Sequence, residues 1–494
     1  MAANSETSKP EERTALNSHF YRFRSIENLL GKRQELEKQQ IYFASQEQLN
    51  DPLEGHINLF WQGDAIVWRN LFKNYLYCVL FTFNLWSAFS KSDKTIGWEH
   101  IPARDPLVAG KFPEHHELEA IFFNDPNVST LVERISSSGR RIGRNELTAH
   151  LRAVHYFVVA AIHEMYRKTH TSSRDEASTQ ALNLDGEINR IKSAIEIFDF
   201  AERTLLDDAE ALEKHYINIV SGYEEVDLLN YYTKAINISD RNRIFIFNDF
   251  CQAYVRRLAT LMYPPWYAAC FMEDCSAASM WAYYGESHAG VCLKFKAEAD
   301  VNGLYVNLNT ITSYHNNGSS RSYRPHYFKP VSYQPIHATL NFFETLGAVP
   351  HPILNSQWYT NGKGEISPLL LRTEAERETW RKVYWDRFDT INKTKTETWK
   401  SEREHRLVYY SMIADLGFED RTLKYDFSAL EGIVFGVRTP TAKKIKIAKV
   451  IEQKCRENSR RDFKFYQASF SNNQNEMTFS EIRTLPRAFT LLDD

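Results

Sequence analysis

Glu402 and Glu404 sit one residue apart in "TETWKSEREHRLVYY" (396–410), just ahead of an apolar, β-prone run. If a strand begins near Ser401, its two-residue repeat points Glu402, Glu404 and Arg406 to one face, with next-but-one residues about 6.5–7 Å apart. Carboxylates that close split their pKa values, and Arg406 can hold one of them ionised. Such a pair divides labour: one acid stabilises a sugar cation and the other handles an acceptor proton. The bland counterpart is a solvated strand end with a surface ion pair, and spacing alone favours it.

Three further stretches carry residue types that could serve the same site. "HFYRFRS" reads as a strand with Arg22 and Arg24 on one face, where either guanidinium could pair with a phosphate, and with Tyr21 and Phe23 toward the core. The competing reading pairs these arginines with acids such as Glu27. "FASQEQLNDPLEG" ends a strand at Ser45 and turns at Asn50-Asp51-Pro52. Asp51 could cap a following helix, with Glu54 in its first turn and both acids toward a cleft. "SMWAYYGESHAGVCLKFK" crowds Trp281, Tyr283, Tyr284 and His288 together. Trp281 reads as core, while Tyr284 and His288, four apart, would share a helix face and serve one site.

The elements that must position these residues read as follows. Residues 1–17 form a polar, disordered lead. "HFYRFRS", a helix over "IENLLGKRQELEKQQ" and a strand "IYFASQ" make a β–α–β opening. From 65 to 261 apolar residues recur at helical spacing, with a loop at 171–187, which gives a helical insertion or domain. Strands "AACFM" and "GVCLKFK" flank a short helix, and "HRLVYY", "EGIVFGV" and "DFKFYQASF" follow, with a basic helix from Thr441 to about Asn458. The class is α+β, a mixed sheet over 18–64 and 262–494 interrupted by the helical insertion.

The chain has 494 residues, 43% hydrophobic and 25% charged, which is ordinary globular composition and enough for two or three domains. A net charge of −3 gives little overall pull toward nucleic acid or an anionic membrane. Only local basic stretches, the tail helix and the Arg140-Arg141-Arg144 loop, could touch phosphates. Cys78, Cys251, Cys270, Cys275, Cys292 and Cys455 form no CxxC, so a reduced, cytoplasmic chain without zinc is expected. No apolar run approaches the roughly 20 residues of a membrane span. His155 and His163 fall on an apolar helix and read as core or surface residues. There is no phosphate-binding GxxxxGK, dinucleotide GxGxxG, zinc HExxH or GxSxG motif.

In order, "YRFRS", "YFAS", "NDPLE", "MWAYYGESHAGVCLKF", "WKSEREHRLV" and "EGIVFGVRT" resemble a bacterial family, domain-of-unknown-function family 2971. The blocks cover about 18–60, 262–300 and 390–470. One departure is Tyr283, where the family often has His, so a proton-transfer role at that position is not carried over. The Glu-x-Glu strand is in turn similar to the catalytic loop of ADP-ribosyltransferases. That likeness implies NAD as substrate, Glu404 as the essential acid and Glu402 as the acceptor-side acid. Arg22 or Arg24, with Ser45 and Asp51, would bind the dinucleotide, Tyr284 would lie on the nicotinamide and His288 would assist. Such families often sit in bacterial toxin or phage-defence loci, which implies a macromolecular acceptor. Two other readings stay open. One is a metal-dependent nuclease using Asp51, Glu54, His288, Glu402 and Glu404. The other is a non-catalytic sensor or scaffold in which Arg406 and Arg24 answer the acids as structural ion pairs.

Overall fold

The computed structural model describes residues 18–89, 92–106, 113–169, 184–234, 240–315, 318–334, 338–412, 416–471 and 477–486. The expected polar lead and most of the expected loop at 171–187 lie outside them. The fold is α+β. The chain divides into two compact units: Met1–His56, Pro265–His337 and Asp389–Asp494 form one, and Ile57–Pro264 with Ala338–Phe388 forms the other.

In the first unit, a mixed sheet runs in the order Lys329–Pro330, Glu404–Tyr410, Trp266–Met272, His19–Arg24, Val291–Lys296, Leu430–Phe435, Lys464–Phe470, Met477–Glu481. Ala44–Ser45 adds to the Trp266–Met272 strand. Leu430–Phe435 and Lys464–Phe470 pair in parallel, so the chain must cross over between them. The basic helix Thr441–Glu457 is that crossover, and it buries Ile447, Ala448, Ile451 and Cys455 at helical spacing. A second sheet orders Gly318–Tyr327, Gly303–His315, Thr422–Tyr425 and Gln40–Tyr42. Phe20, Phe271, Leu293, Phe295 and Leu407 of the first sheet share one apolar core with Ile41, Val306, Leu308 and Leu423 of the second. The other face of the first sheet carries a smaller cluster built on Phe23, Met272, Met280 and Trp281.

The opening differs from its sequence pattern in two ways. The expected helix covers only Ile26–Leu30 and stops at Gly31, whose N–H closes on the Glu27 carbonyl. The remainder forms turns that bury Leu36. The expected strand "IYFASQ" is shared between sheets: Gln40–Tyr42 pairs with Thr422–Lys424, whereas Ala44–Ser45 pairs with Tyr267–Ala268. Phe43, fully buried, marks the switch.

The second unit is mostly helical. The helix Ala65–Phe89 buries Val67, Trp68, Asn70, Phe72, Tyr77, Cys78 and Leu80, residues that point in all directions, as a central helix requires. Among the described residues no helix is long and apolar enough to cross a membrane. Residues 338–388, read from sequence as part of the sheet domain, pack with this unit instead. Thr339–Asn341 pairs with Asn58–Phe60, and the Tyr384 hydroxyl donates to the Met262 carbonyl at 2.8 Å.

Candidate functional site: a buried ion-pair cluster

The strand expected from Ser401 begins at Glu404. Glu397–Glu402 is a 3-10 helix, and Arg403 ends it in the left-handed region at φ 45°. That conformation costs a non-glycine residue about 1–2 kcal/mol. Glu402 is therefore not one strand position before Glu404. The reversal at Arg403 nonetheless brings both carboxylates to one ammonium. Lys395 Nζ donates to Glu402 Oε2 at 2.7 Å and to Glu404 Oε2 at 3.2 Å, and lies 3.9 Å from Glu54 Oε2.

Lys395 sits in Thr394–Thr396, which pairs in parallel with Ser332–Gln334, so that Tyr333 lies opposite Lys395. The Tyr333 hydroxyl accepts the Glu404 N–H at 2.8 Å. The Trp399 ring lies 4.7 Å below the ammonium, a cation–π contact. Arg406 Nε and Nη2 donate to the two Glu404 oxygens at 2.7 and 3.2 Å, and Nη1 donates to the Asn392 carbonyl at 2.8 Å. Arg406 also pairs with Glu54. The Tyr284 hydroxyl donates to Glu402 Oε1 at 2.5 Å. Asp51 accepts from Leu53 N–H at 2.9 Å and from the Thr396 hydroxyl at 3.3 Å. It thus closes a turn rather than capping a helix.

Lys395, Glu402, Glu404 and Arg406 are all at most 3% exposed. Burial raises the Glu404 carboxyl above the usual carboxylate range, with Lys395 opposing. Burial pulls the Lys395 ammonium down, but Glu404, Tyr284 and Glu402 outweigh it and leave it raised. Burial lowers the Arg406 guanidinium to about 9, so it stays a cation at neutral pH. Burial raises the Tyr284 phenol, which keeps its proton as the donor to Glu402. Burial, and then Glu404, push the Cys270 thiol well up, so it is no thiolate nucleophile.

The other sequence candidates go elsewhere. Directly paired residues of antiparallel strands share a face. Glu404, Met272 and Tyr21 are such a set, as are Arg22 and Leu293 on the opposite face with the larger core. Arg22 lies over the Phe271 ring at 5.3 Å and donates to the Tyr42 carbonyl at 2.9 Å. Arg24 makes a bidentate pair with Glu35, not Glu27. Neither arginine shares the Glu404 face. Ser45 lies at the start of a short 3-10 turn, where its N–H donates to the Gln48 side chain at 3.1 Å. The short helix Ala278–Tyr283 stops before Tyr284, and Glu286, Ser287 and His288 all take positive φ (51°, 51° and 70°). Tyr284 and His288 therefore share no helix face. His288 packs 5.7 Å from the Phe470 ring, and burial and Arg438 lower its pKa.

The structure thus joins Asp51, Glu54, Tyr284, Glu402 and Glu404, and it leaves out Arg22, Arg24, Ser45 and His288. Sequence reasoning missed Lys395, Tyr333 and Trp399. The available signal was the charge balance, since three buried carboxylates beside one arginine call for a second cation. Lys395 also bears on the metal-dependent alternative that grouped Asp51, Glu54, His288, Glu402 and Glu404. Its ammonium takes the place between the carboxylates that a cation would need, and among the described residues no group of three or more His, Cys, Asp or Glu could hold a metal ion.

Fold and cluster together define an α+β protein with an ionic centre buried on one sheet face. Residues 280–407 match the model of a family described as protein of unknown function, DUF2971, and that segment contains Tyr284, Lys395, Glu402, Glu404 and Arg406. The match bears out the family resemblance drawn from the sequence blocks. No curated protein and no solved structure matches the chain.

Proposed function

We propose that the chain is a non-catalytic sensor or scaffold whose Glu-x-Glu motif is a structural ion-pair network. One observation carries this reading: the buried charges answer one another. Lys395 lies between Glu402 and Glu404, and Arg406 between Glu404 and Glu54, with these side chains at most 3% exposed. Exposed apolar side chains on the helices Leu184–Leu205 and Ala209–Tyr232, notably Phe200, Leu228 and Tyr232, give the helical unit surface for a macromolecular partner. Glu404→Gln should lower stability by about 3 kcal/mol, since it leaves buried cations under-neutralised. The parent protein, incubated with labelled NAD and cell extract, should yield no labelled product. Turnover of NAD by the parent, lost in Glu404→Gln with an unchanged melting curve, would overturn the reading.

A second reading, an NAD-using ADP-ribosyltransferase acting on a macromolecule, draws on the convergence of Tyr284 with Glu402 and Glu404. A raised carboxyl pKa in such a cluster is also frequent at catalytic sites. It has to find its phosphate-binding cation somewhere other than Arg22 or Arg24.

A further inference from the structure

Two basic stretches stand out in the sequence, the Arg140-Arg141-Arg144 loop and the helix Thr441–Glu457. In the loop the cations are engaged. Arg140 pairs with Glu146 and Glu202, Arg141 lies over the Phe60 ring at 4.6 Å, and Arg144 is half-buried. The helix is different. Its inner face, Ile447, Ala448, Ile451 and Cys455, is buried in the larger core with Phe435 and Phe465 of the sheet. At about 3.6 residues per turn, the opposite face holds Lys446, Lys449 and Gln453, with Lys443 on its flank. All four side chains are exposed.

Among the described residues, the ammonium groups of Lys443, Lys446 and Lys449 make no hydrogen bond or ion pair. The other charges of the helix are answered. Arg456 pairs with Glu452 at 2.8 Å and Lys454 with Glu457 at 3.4 Å, while Lys444 donates to the Gln467 side chain at 2.5 Å. From Thr441 to Val450 the helix has lysines at 443, 444, 446 and 449 and no acid. Lys443 to Lys449 covers about 9 Å of helix axis, inside the Debye length of about 10 Å at 0.1 M salt. The three free charges therefore act as one local positive patch on a chain whose net charge is −3.

We propose that this face docks on the phosphate backbone of a nucleic-acid duplex without reading its sequence. Three features select that occupant. Unanswered cations in a row complement a row of phosphates, and their counterions are released on binding. The helix carries no aromatic side chain, whereas single strands are held largely by stacking on aromatic rings. A helix that lies in an anionic membrane inserts its apolar face, but here that face is spent in the core and, of the large apolar side chains, the helix exposes only Ile445, at 52%. The proposal does not depend on how the ionic cluster is read.

The test uses the full chain and a short fluorescein-labelled DNA duplex of mixed sequence, followed by fluorescence anisotropy. Saturable binding is expected with a Kd of about 10⁻⁴–10⁻⁶ M, and three phosphate contacts give a slope of log K against log salt of about −2.7. Lys446→Gln should make that slope shallower by about 0.9. Lys443→Gln, Lys446→Gln and Lys449→Gln combined should weaken binding at least about tenfold and leave the melting curve unchanged, since these side chains hold nothing in the fold. Absence of saturable binding, parent-like affinity in the triple variant, a preference for the single strand of the same length, or a preference for phosphatidylserine-containing vesicles over the duplex would each overturn the proposal.

Discussion

In the sheet unit, Lys395 and Arg406 are 3% and 0% exposed and are answered by carboxylates; in the helical unit, Tyr75, His155 and Tyr254 are 0% exposed and are answered by neutral groups. His155 Nδ1 accepts from the Tyr75 hydroxyl at 2.7 Å, and its Nε2–H donates to the Ile246 carbonyl at 2.6 Å. The Tyr254 hydroxyl donates to Asn74 Oδ1 at 2.9 Å. Both solutions satisfy buried polar atoms, but their failure modes differ. Removing one ion strands its partners in a medium that solvates charge poorly, whereas removing one neutral donor leaves a single unmet acceptor. The ionic centre is thus brittle toward substitution and the neutral one toward protons.

The largest expected effect is Arg406→Met, which strands Glu404 and Glu54 together. Denaturant unfolding should show a loss of about 3–5 kcal/mol, and a loss under 1 kcal/mol would erase the contrast between the units. Acid comes next. Burial holds the His155 imidazole down at about 3, far below its usual 6.5. A depressed pKa contributes stability that is fully present above pH 6.5. It is lost as the pH falls toward 3, because the unfolded chain takes up the proton first. At about 1.4 kcal/mol per pH unit, the loss by pH 5 is about 2 kcal/mol. His155→Gln should flatten that part of the stability profile, and an unchanged slope would remove His155 as its source. The smallest effect is Tyr75→Phe. It deletes one neutral hydrogen bond to His155 and should cost about 1 kcal/mol in the same unfolding assay.

Local pattern made much of the fold legible. The strands around "AACFM" and "GVCLKFK", the short helix between them and the basic helix before "DFKFYQASF" all follow from spacing within one segment. The helix expected over "IENLLGKRQELEKQQ" failed because Gly31 stops it and Leu36 finds burial in turns. The site was legible only in part for a similar reason. Glu402 and Glu404 announce themselves by adjacency, but their approach depends on Arg403 taking a left-handed conformation that charge and hydropathy do not encode. Lys395, a single lysine between two threonines, gains its role from Tyr333 across a parallel pairing and from Glu54 far away in the chain. The assignment of Arg22 to the Glu404 face failed on register. Within one strand the arginines share a face, but which face meets Glu404 is set by the Tyr21–Met272 pairing.

The division of the chain has a consequence for how the family segment is inherited and handled. Residues 280–407 include 338–388, which belong to the helical unit, and exclude Glu54, the His19–Arg24 strand and the whole Trp266–Met272 strand. The matched segment is therefore not a unit of folding. Expressed alone, it would carry Lys395, Glu402, Glu404 and Arg406 without Glu54 and without the strand that flanks Glu404–Tyr410 along its length, and so with a buried arginine short of one carboxylate. Any dissection of this protein that preserves the ionic centre has to keep residues 18–56.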